Sequence, residues 1–148
     1  MRPDGIFATV QLEVAQRMTA APADKSYGLL SILMQATGDV RLLRTLNPQA
    51  FWPQPKVRSA MFAWHYDEEK YRRIRCITHL KRTIDALLGH RRKKISYGLA
   101  QLTSVAPAEL APVLASLGID LDARGETLSP GQFVALANHL VDLSDSPT

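Results

Sequence analysis

The chain has 148 residues, of which 46% are apolar and 22% are charged, close to the average for globular domains. This composition excludes a disordered tail, a collagen-like repeat and a coiled-coil rod, and no run approaches the roughly 20 apolar residues of a membrane span. The single cysteine, Cys76, excludes an intramolecular disulfide and a cysteine-based zinc site. These features predict a cytoplasmic protein with one domain of ordinary size or two small ones.

Positive charge is concentrated in one segment. Residues 70–94, called the basic block below, contain ten Lys or Arg and one acidic residue, a net charge of +9, whereas residues 95–148 contain one Arg and six acidic residues. A dense cationic segment favours binding of a polyanion such as nucleic acid. A solvated basic helix accounts for the same composition, so both interpretations stand on charge alone.

The first 66 residues alternate between strand and helix patterns. Gly38 follows the second helix, in the place of a left-handed residue that ends a helix, and three prolines exclude regular structure from residues 47–55. Residues 57–64 carry apolar side chains on both faces, which is typical of a strand inside a sheet. The predicted strands are residues 5–10, 39–46 and 57–64, and the predicted helices are residues 11–18 and 28–37.

After Tyr66 the apolar residues recur at helical spacing. Ser129 and Gln132 match a capping box, and Pro130 between them suits the first helical position. The predicted helices are one long helix over residues 74–87, then residues 95–102 and 110–117, and a fourth that starts at residue 129.

These patterns predict an α/β fold followed by an all-α part. The change of period places a boundary near residue 66, so that residues 1–66 form one domain and residues 67–148 form a helical domain. No internal repeat or low-complexity segment interrupts this order.

No residue pattern typical of catalysis or metal binding is visible. The four histidines lie outside zinc-binding spacings, so no metal site is predicted. The eight glycines occur singly, without a G-x-G sequence, so the loop that holds the phosphates of dinucleotides is missing.

The segment AFWPQPK at residues 50–56, called the aromatic loop below, places Phe51 and Trp52 in a proline-rich connection between two predicted strands. A stiff loop can hold an aromatic face in position to stack on a nucleobase. The alternative is that one of the two rings fills the core beneath the loop, and spacing alone favours that alternative.

The segment HRRKK at residues 90–94, called the basic turn below, lies between two predicted helices. Cations at the start of a helix do not complement the helix dipole. A phosphate backbone explains them better, although a solvated turn is also compatible with the sequence.

Several blocks, taken in chain order, resemble the ribosomal RNA adenine dimethyltransferases. The family resemblance covers nearly the whole chain, and it is the ordered set rather than any one block that is specific. The blocks are QLEVAQR at residues 11–17, SYGLLS at 26–31, AFWPQPKVRSA at 50–60, HRRKK at 90–94, LGID at 117–120 and RGETLS at 124–129.

This resemblance implies an enzyme that transfers methyl groups from S-adenosylmethionine to N6 of two adjacent adenines in small-subunit ribosomal RNA during ribosome assembly. It implies a Rossmann-like sheet followed by a small helical domain. It also implies that Phe51 packs against the target adenine after that base leaves its stack. The RNA-binding residues that it implies are Lys56, Arg91, Arg92, Lys93 and Lys94.

Two motifs of the family are missing from this sequence: the G-x-G-x-G cofactor loop and the catalytic N-[IL]-P-[YF] motif. The resemblance therefore places this chain in the C-terminal portion of the family's proteins, from about the fifth strand of the sheet onwards. S-adenosylmethionine is expected to serve the complete protein and not to bind this chain, which is expected to be inactive alone.

Two other functions were compatible with the residues: a non-catalytic RNA-binding module, and a helical DNA-binding domain that would leave the aromatic loop unexplained. The expected partners are small-subunit ribosomal RNA and the pre-ribosomal particle, with no membrane and no metal. Self-association of the isolated chain through its sheet is also expected. Apolar side chains would lack partners there, namely Phe7, Val40, Met61 and Phe62.

Overall fold

A computed structural model describes residues 4–145, which form one three-stranded sheet and seven α-helices. Short 3₁₀ turns occupy Pro48–Ala50, Pro107–Leu110 and Gly125–Thr127. In chain order the elements are β1 (Gly5–Gln11), α1 (Leu12–Thr19), α2 (Leu29–Thr37), β2 (Gly38–Leu46), β3 (Ser59–Tyr66), α3 (Glu68–Arg72), α4 (Ile77–Leu88), α5 (Ile95–Leu102), α6 (Ala111–Ser116) and α7 (Pro130–Asp145).

The sheet has the order β1-β3-β2, and β3 is antiparallel to both neighbours. The prediction that the third strand lies inside the sheet is therefore confirmed. Leu42 pairs with Phe62 and Arg44 with Met61, so Leu43 is the extra residue of a bulge in β2.

One face of the sheet is covered by helices. Ala60, Phe62 and Trp64 alternate along β3 and are all buried. The Nε1–H of Trp64 donates to the carbonyl oxygen of Met34 in α2 at 3.0 Å, which satisfies the polar atom of this indole. The prediction that Phe62 lacks a packing partner is therefore wrong, because its side chain lies on the helix-covered face.

The opposite face of the sheet carries exposed apolar side chains. Phe7 of β1 is 67% exposed and Met61 of β3 is 40% exposed. Phe7 pairs in register with Ala63, which places its side chain on the same face as Met61. The exposure expected for Phe7 and Met61 is therefore confirmed.

Gly38 is required by packing and not by a left-handed backbone. Its φ is −178°, an extended conformation, so the prediction of a left-handed residue at the end of α2 is wrong. A Cβ at this position would lie 2.2 Å from the carbonyl oxygen of His65 and 2.5 Å from Nε1 of Trp64. The chain thus passes from α2 directly into β2, and only glycine fits against β3.

The predicted helix over residues 74–87 begins three residues later in the structure, and a short helix that the sequence did not predict, α3, precedes it. The side chain of Asp67 caps α3 by accepting the amide of Lys70 at 3.0 Å, and α4 begins only at Ile77. Ile74 lies between the two helices and packs against the same core as α4. The position of Ile74 in the sequence therefore fits the apolar spacing of α4, although its backbone is not helical.

The predicted end of the third helix and start of the fourth are confirmed. Gly118 has a φ of +66°, the left-handed conformation that follows α6. Ser129 and Gln132 form the reciprocal capping box of α7, with the Ser129 amide donating to Oε1 of Gln132 at 2.9 Å and the Gln132 amide donating to Oγ of Ser129 at 3.2 Å.

A single hydrophobic cluster includes residues from both sides of residue 66. Tyr27 and two residues of α2, Ile32 and Ala36, belong to the cluster that contains the buried faces of α4, α5 and α7. The division of the chain into domains 1–66 and 67–148 stays a prediction. The members of the cluster after residue 66 are Leu80, Ile84, Leu87, Ile95, Leu99, Leu110, Leu114, Ile119, Leu128, Phe133, Val134, Leu136, Ala137 and Leu140.

Tyr27 is completely buried in this cluster, and its hydroxyl donates to the carbonyl oxygen of Leu128 at 2.8 Å. Leu128 is itself 2% exposed, so its carbonyl oxygen depends on this hydrogen bond for a partner. Burial raises the pKa of the Tyr27 phenol above its usual range. The neutral phenol is therefore the form that the folded protein accommodates.

We expect Tyr27→Phe to lower the free energy of unfolding by about 1–3 kcal/mol, because the change leaves a buried carbonyl unsatisfied. A phenol with a raised folded-state pKa contributes stability that is fully present below the unfolded pKa of about 10 and is lost as the pH rises through the folded value. Denaturant unfolding from pH 8 to 11 should therefore show a steeper alkaline loss in the parent protein than in Tyr27→Phe.

The matched control is Tyr97→Phe, since Tyr97 is 46% exposed. This control should leave the alkaline loss of stability unchanged. An identical pH dependence in the parent protein and in Tyr27→Phe would contradict the coupling between Tyr27 and stability.

Candidate nucleic-acid interface

The aromatic loop leaves the sheet at the end where β1 and β2 finish. Gln11 at the end of β1 and Leu46 at the end of β2 both pair with Ser59, the first residue of β3. Ligands of open α/β sheets bind outside the carboxyl ends of strands. The loop therefore lies at the edge of the sheet where a ligand is expected.

The two rings of this loop face solvent. Trp52 is 97% exposed and Phe51 is 36% exposed, and neither belongs to the hydrophobic cluster. The alternative in which one of these rings fills the core is therefore not supported. Trp64, by contrast, is buried at 9% exposure, so Trp52 is the solvent-exposed indole of the two.

The backbone holds the aromatic loop at both of its ends. Before the rings, the amide of Phe51 donates to the carbonyl oxygen of Pro48 at 3.2 Å, which closes a 3₁₀ turn. After them, the amide of Leu12 in α1 donates to the carbonyl oxygen of Arg58 at 2.9 Å. Lys56 lies between these anchors and is exposed, so an aromatic face and a cation share one short segment.

The basic turn connects α4 to α5 and contacts the segment that precedes α2. Nη1 of Arg91 donates to the carbonyl oxygen of Lys25 at 3.0 Å, and Nη2 donates to the carbonyl oxygen of Tyr27. The sequence did not predict this contact, because the partners are backbone carbonyl groups 64 and 66 residues away. Arg91 thus has a structural role whatever else it binds.

The other residues of the basic turn differ in how far their charge is compensated. Nζ of Lys94 lies 2.8 Å from Oδ1 of Asp122, an exposed ion pair. Nζ of Lys93 lies 6.0 Å from the centroid of the Tyr97 ring. Arg92 is exposed and forms no hydrogen bond or ion pair with any residue that the structure describes. Within this turn, Arg91, Arg92 and Lys93 therefore keep charges that no carboxylate neutralises.

Ion pairs remove much of the charge of the basic block elsewhere. Five of its cations pair with carboxylates, four of which lie outside the block. The paired cations are Lys70, Arg72, Arg75, Lys81 and Lys94, and within residues 4–145 the unpaired ones are Arg73, Arg82, Arg91, Arg92 and Lys93. Three of these five unpaired cations are consecutive in the basic turn, which is the main concentration of uncompensated positive charge in the block.

The aromatic loop and the basic turn are separate features of the surface. Among the described residues, no hydrogen bond, ion pair or ring contact joins them. One lies at the end of the sheet and the other on the helical part, beside residues 25–27.

No strand-to-helix turn within residues 4–145 has the glycine-rich sequence that would hold S-adenosylmethionine. β1 passes into α1 between Gln11 and Leu12 with no intervening loop and no glycine. Within residues 4–145, no group of three or more His, Cys, Asp or Glu side chains is placed to hold a metal ion. No helix in that range is long and apolar enough to cross a membrane.

Solved structures share this fold. A dimethyladenosine transferase from Plasmodium falciparum superimposes with a TM-score of 0.79 over 95% of this chain and 58% of its own, at 18% sequence identity. The 23S rRNA methyltransferase ErmE superimposes with a TM-score of 0.59 over 93% of this chain and 55% of its own, also at 18% identity. At these identities the similarity concerns the fold alone.

Curated relatives are closer in sequence. The ribosomal RNA small subunit methyltransferase A of Anaeromyxobacter sp. (strain K) is 36% identical over 139 residues, which cover 88% of this chain and 46% of the relative. The protein of the same name from Nocardia farcinica is 38% identical over 136 residues, covering 86% of this chain and 44% of the relative. The chain thus spans about half the length of these relatives.

The family model of ribosomal RNA adenine dimethylases matches residues 2–142. This match includes the sheet, the aromatic loop, the basic turn and nearly all of α7. The resemblance found in the ordered sequence blocks is therefore confirmed, and the chain belongs to the ribosomal RNA adenine dimethylase family.

Proposed function

We propose that this chain is the C-terminal part of an enzyme that dimethylates N6 of two adjacent adenines in small-subunit ribosomal RNA, and that its own task is to hold that RNA within a pre-ribosomal particle. The observation that carries the proposal is the exposed aromatic loop at the carboxyl ends of β1 and β2. We infer the reaction from membership of the family, and we infer contact with a nucleobase from the exposed aromatic rings of the loop.

In this proposal Phe51 stacks on the target adenine. A base that leaves its helix loses stacking worth a few kcal/mol, and a fixed aromatic face offsets part of that loss. The backbone anchors at Pro48 and Arg58 hold the loop before RNA arrives. Binding therefore requires little further ordering of the loop, which favours affinity.

The RNA backbone lies along the basic turn in this proposal. Arg91, Arg92 and Lys93 supply charges that no carboxylate neutralises, and Lys56 supplies one more beside the aromatic loop. Lys94 is expected to contribute less, because Asp122 lies 2.8 Å from its ammonium group. Phosphate contacts of this kind set affinity and register but carry no sequence information.

The complete protein would use S-adenosylmethionine. We expect the isolated chain neither to bind this cofactor nor to methylate RNA, because the glycine-rich cofactor loop and the catalytic N-[IL]-P-[YF] motif are missing from this sequence. Micromolar binding in a calorimetric titration would contradict this expectation.

The proposal also includes the division of the chain into two parts. Residues 1–66 would be the C-terminal part of the catalytic domain, and residues 67–148 would be a helical RNA-binding domain. A cytoplasmic location belongs to the same proposal.

Phe51→Ala in the complete enzyme should remove about 1–3 kcal/mol of stacking. That loss corresponds to a decrease of about 5- to 150-fold in the efficiency of methyl transfer to small-subunit particles. Phe51→Tyr should retain much of the activity, since it keeps a flat ring. Cofactor affinity should hardly change, because the ring is expected to contact the base.

A thermal melt separates this role from a role in packing. If Phe51 were a core residue, its truncation would cost about 3–5 kcal/mol of stability. Lost stability together with normal activity per folded molecule would contradict the stacking role.

RNA binding by the aromatic loop can also be observed in the 148-residue chain itself. Trp52 is exposed and Trp64 is buried, so a single-stranded RNA that stacks on the loop should quench the fluorescence of Trp52. Trp52→Phe should abolish this quenching while RNA still binds. Equal quenching in the parent chain and in Trp52→Phe would place the RNA away from the loop.

The pair of substitutions Arg92→Ala and Lys93→Ala should weaken binding of single-stranded RNA to a similar extent for different sequences. Each lost phosphate contact should also reduce the slope of log affinity against log salt by about 0.7. Arg91 is left intact, because its hydrogen bonds to Lys25 and Tyr27 support the fold. An unchanged slope would identify the basic turn as a solvated turn.

We also propose that the isolated chain self-associates through the open face of its sheet. Phe7 and Met61 are exposed on this face, and exposed apolar side chains on an open sheet favour association. Phe7→Thr should shift the chain towards monomer in sedimentation velocity experiments. The control is Ile77→Thr, which removes a 46%-exposed apolar residue from α4. A parent chain that is monomeric at all concentrations would contradict this proposal.

A further inference from the structure

A cavity of about 450 Å³ opens between α1, the segment before α2 and the basic turn. Its lining contains three cationic residues from three separate parts of the chain: Arg17, Lys25 and Arg91. The other lining residues are Ser26, Tyr27, Gly28, Leu29, Leu30 and Ser31, so the lining contains no acidic residue.

Two of the three cations keep their charge uncompensated. Arg91 donates to two neutral carbonyl groups, which fix the guanidinium without neutralising it and leave further N–H groups available. Lys25 is exposed and forms no ion pair with any described residue. The adjacent Asp24 does not line the cavity, and its Oδ2 accepts the amide of Ala21 at 2.9 Å. Arg17 is the exception, since it pairs with Glu13 one helical turn away.

A cavity of similar volume elsewhere in the molecule has fewer uncompensated cations in its lining. That cavity measures about 480 Å³ and is lined by Lys70 and Arg73 among mainly small or neutral residues. Nζ of Lys70 lies 2.6 Å from Oδ1 of Asp39 and 3.1 Å from the carbonyl oxygen of Gly38, so its charge is already compensated. Among the described residues, Arg73 is therefore the one uncompensated cation in the lining of the second cavity, whereas Lys25 and Arg91 are both uncompensated in the lining of the first.

We propose that the cavity lined by Arg17, Lys25 and Arg91 binds one phosphate group of the RNA backbone. A phosphodiester offers two non-bridging oxygens that share one negative charge, and these suit an arginine fork and a lysine ammonium group together. Because Arg91 also belongs to the basic turn, the cavity continues the cationic surface of Arg92 and Lys93. The RNA strand then passes from the helical part towards the part that contains the sheet.

This site rests on the proposed function for the identity of its polyanion, but it adds residues that the basic block does not contain. Arg17 and Lys25 precede the block by more than 40 residues, and the fold brings them to it. The carbonyl groups of Lys25 and Tyr27 hold Arg91 before any ligand arrives. Preorganisation of this kind reduces the entropy lost on binding.

Lys25→Ala tests the site, because its side chain is exposed and the change should not disturb folding. We expect it to reduce the slope of log affinity against log salt for single-stranded RNA by about 0.7, the loss of one phosphate contact. Lys25→Arg should restore the slope. Lys81→Ala is the control with the same change in net charge, at a residue that pairs with Asp85 on α4, and it should leave the slope unchanged.

The salt slopes of the parent chain and these variants distinguish a failure of the cavity proposal from a failure of the proposed function. If the parent chain binds RNA and Lys25→Ala has the parent slope, the cavity is not a phosphate site, while RNA binding through the basic turn stands. If Lys25→Ala and Lys81→Ala reduce the slope equally, the effect is one of net charge and the cavity proposal fails. If the parent chain binds no RNA at low salt, both proposals fail together.

Inorganic phosphate distinguishes a site for RNA from a site for a free anion. In the RNA site, millimolar phosphate should compete with RNA in the parent chain and compete less in Lys25→Ala. A melting temperature that phosphate raises only when Lys25 is present, combined with an unchanged RNA slope, would assign the cavity to a free anion and overturn its assignment to RNA.

Discussion

The packing of the helical part against the first part of the chain depends on two hydrogen bonds of Tyr27. Its hydroxyl donates to the carbonyl oxygen of Leu128, immediately before the capping box of α7. Its own carbonyl oxygen accepts from Arg91 in the turn between α4 and α5. The helical part therefore binds both the side chain and the backbone of one residue that precedes α2. Since α2 also accepts the indole N–H of Trp64, the same helix is fixed to the sheet and to the helical part.

This connection fixes the relative position of the two surfaces to which the proposed function assigns the RNA. The aromatic loop is positioned by the sheet, because it leaves the ends of β2 and β3. The basic turn is positioned by α4 and α5 and by its hydrogen bonds to residues 25 and 27. Through α2 the two surfaces belong to one packed unit, so their spacing is set by the fold. In the proposed function, RNA that binds both surfaces would need to reorganise neither of them.

Local patterns predicted much of this structure, and the failures have physical causes. The strands and the Ser129 cap were predictable because they depend on neighbours in sequence. Gly38 was misjudged because its constraint comes from Trp64 and His65 across the sheet. The start of α4 was predicted three residues too early because Ile74 packs against the core like a helical residue without belonging to a helix. Arg91 was predicted as an RNA contact, but its carbonyl partners have no signature in the sequence.

The sequence also did not predict which cations of the basic block are paired with carboxylates in the fold. Composition gives the basic block a net charge of +9 spread over 25 residues. Carboxylates from β2, α3, α7 and the segment before the last 3₁₀ turn pair with four of its cations. Lys81 pairs with Asp85 inside the block, so half of the ten cations are paired. Pairing leaves the basic turn as the place where consecutive charges remain uncompensated, and the fold adds Lys25 beside it. Positive charge that the sequence spreads over 25 residues is thereby concentrated at the basic turn and Lys25. The proposed phosphate contacts depend on this concentration, because cations at fixed positions, and not total charge, set the register of a phosphate backbone.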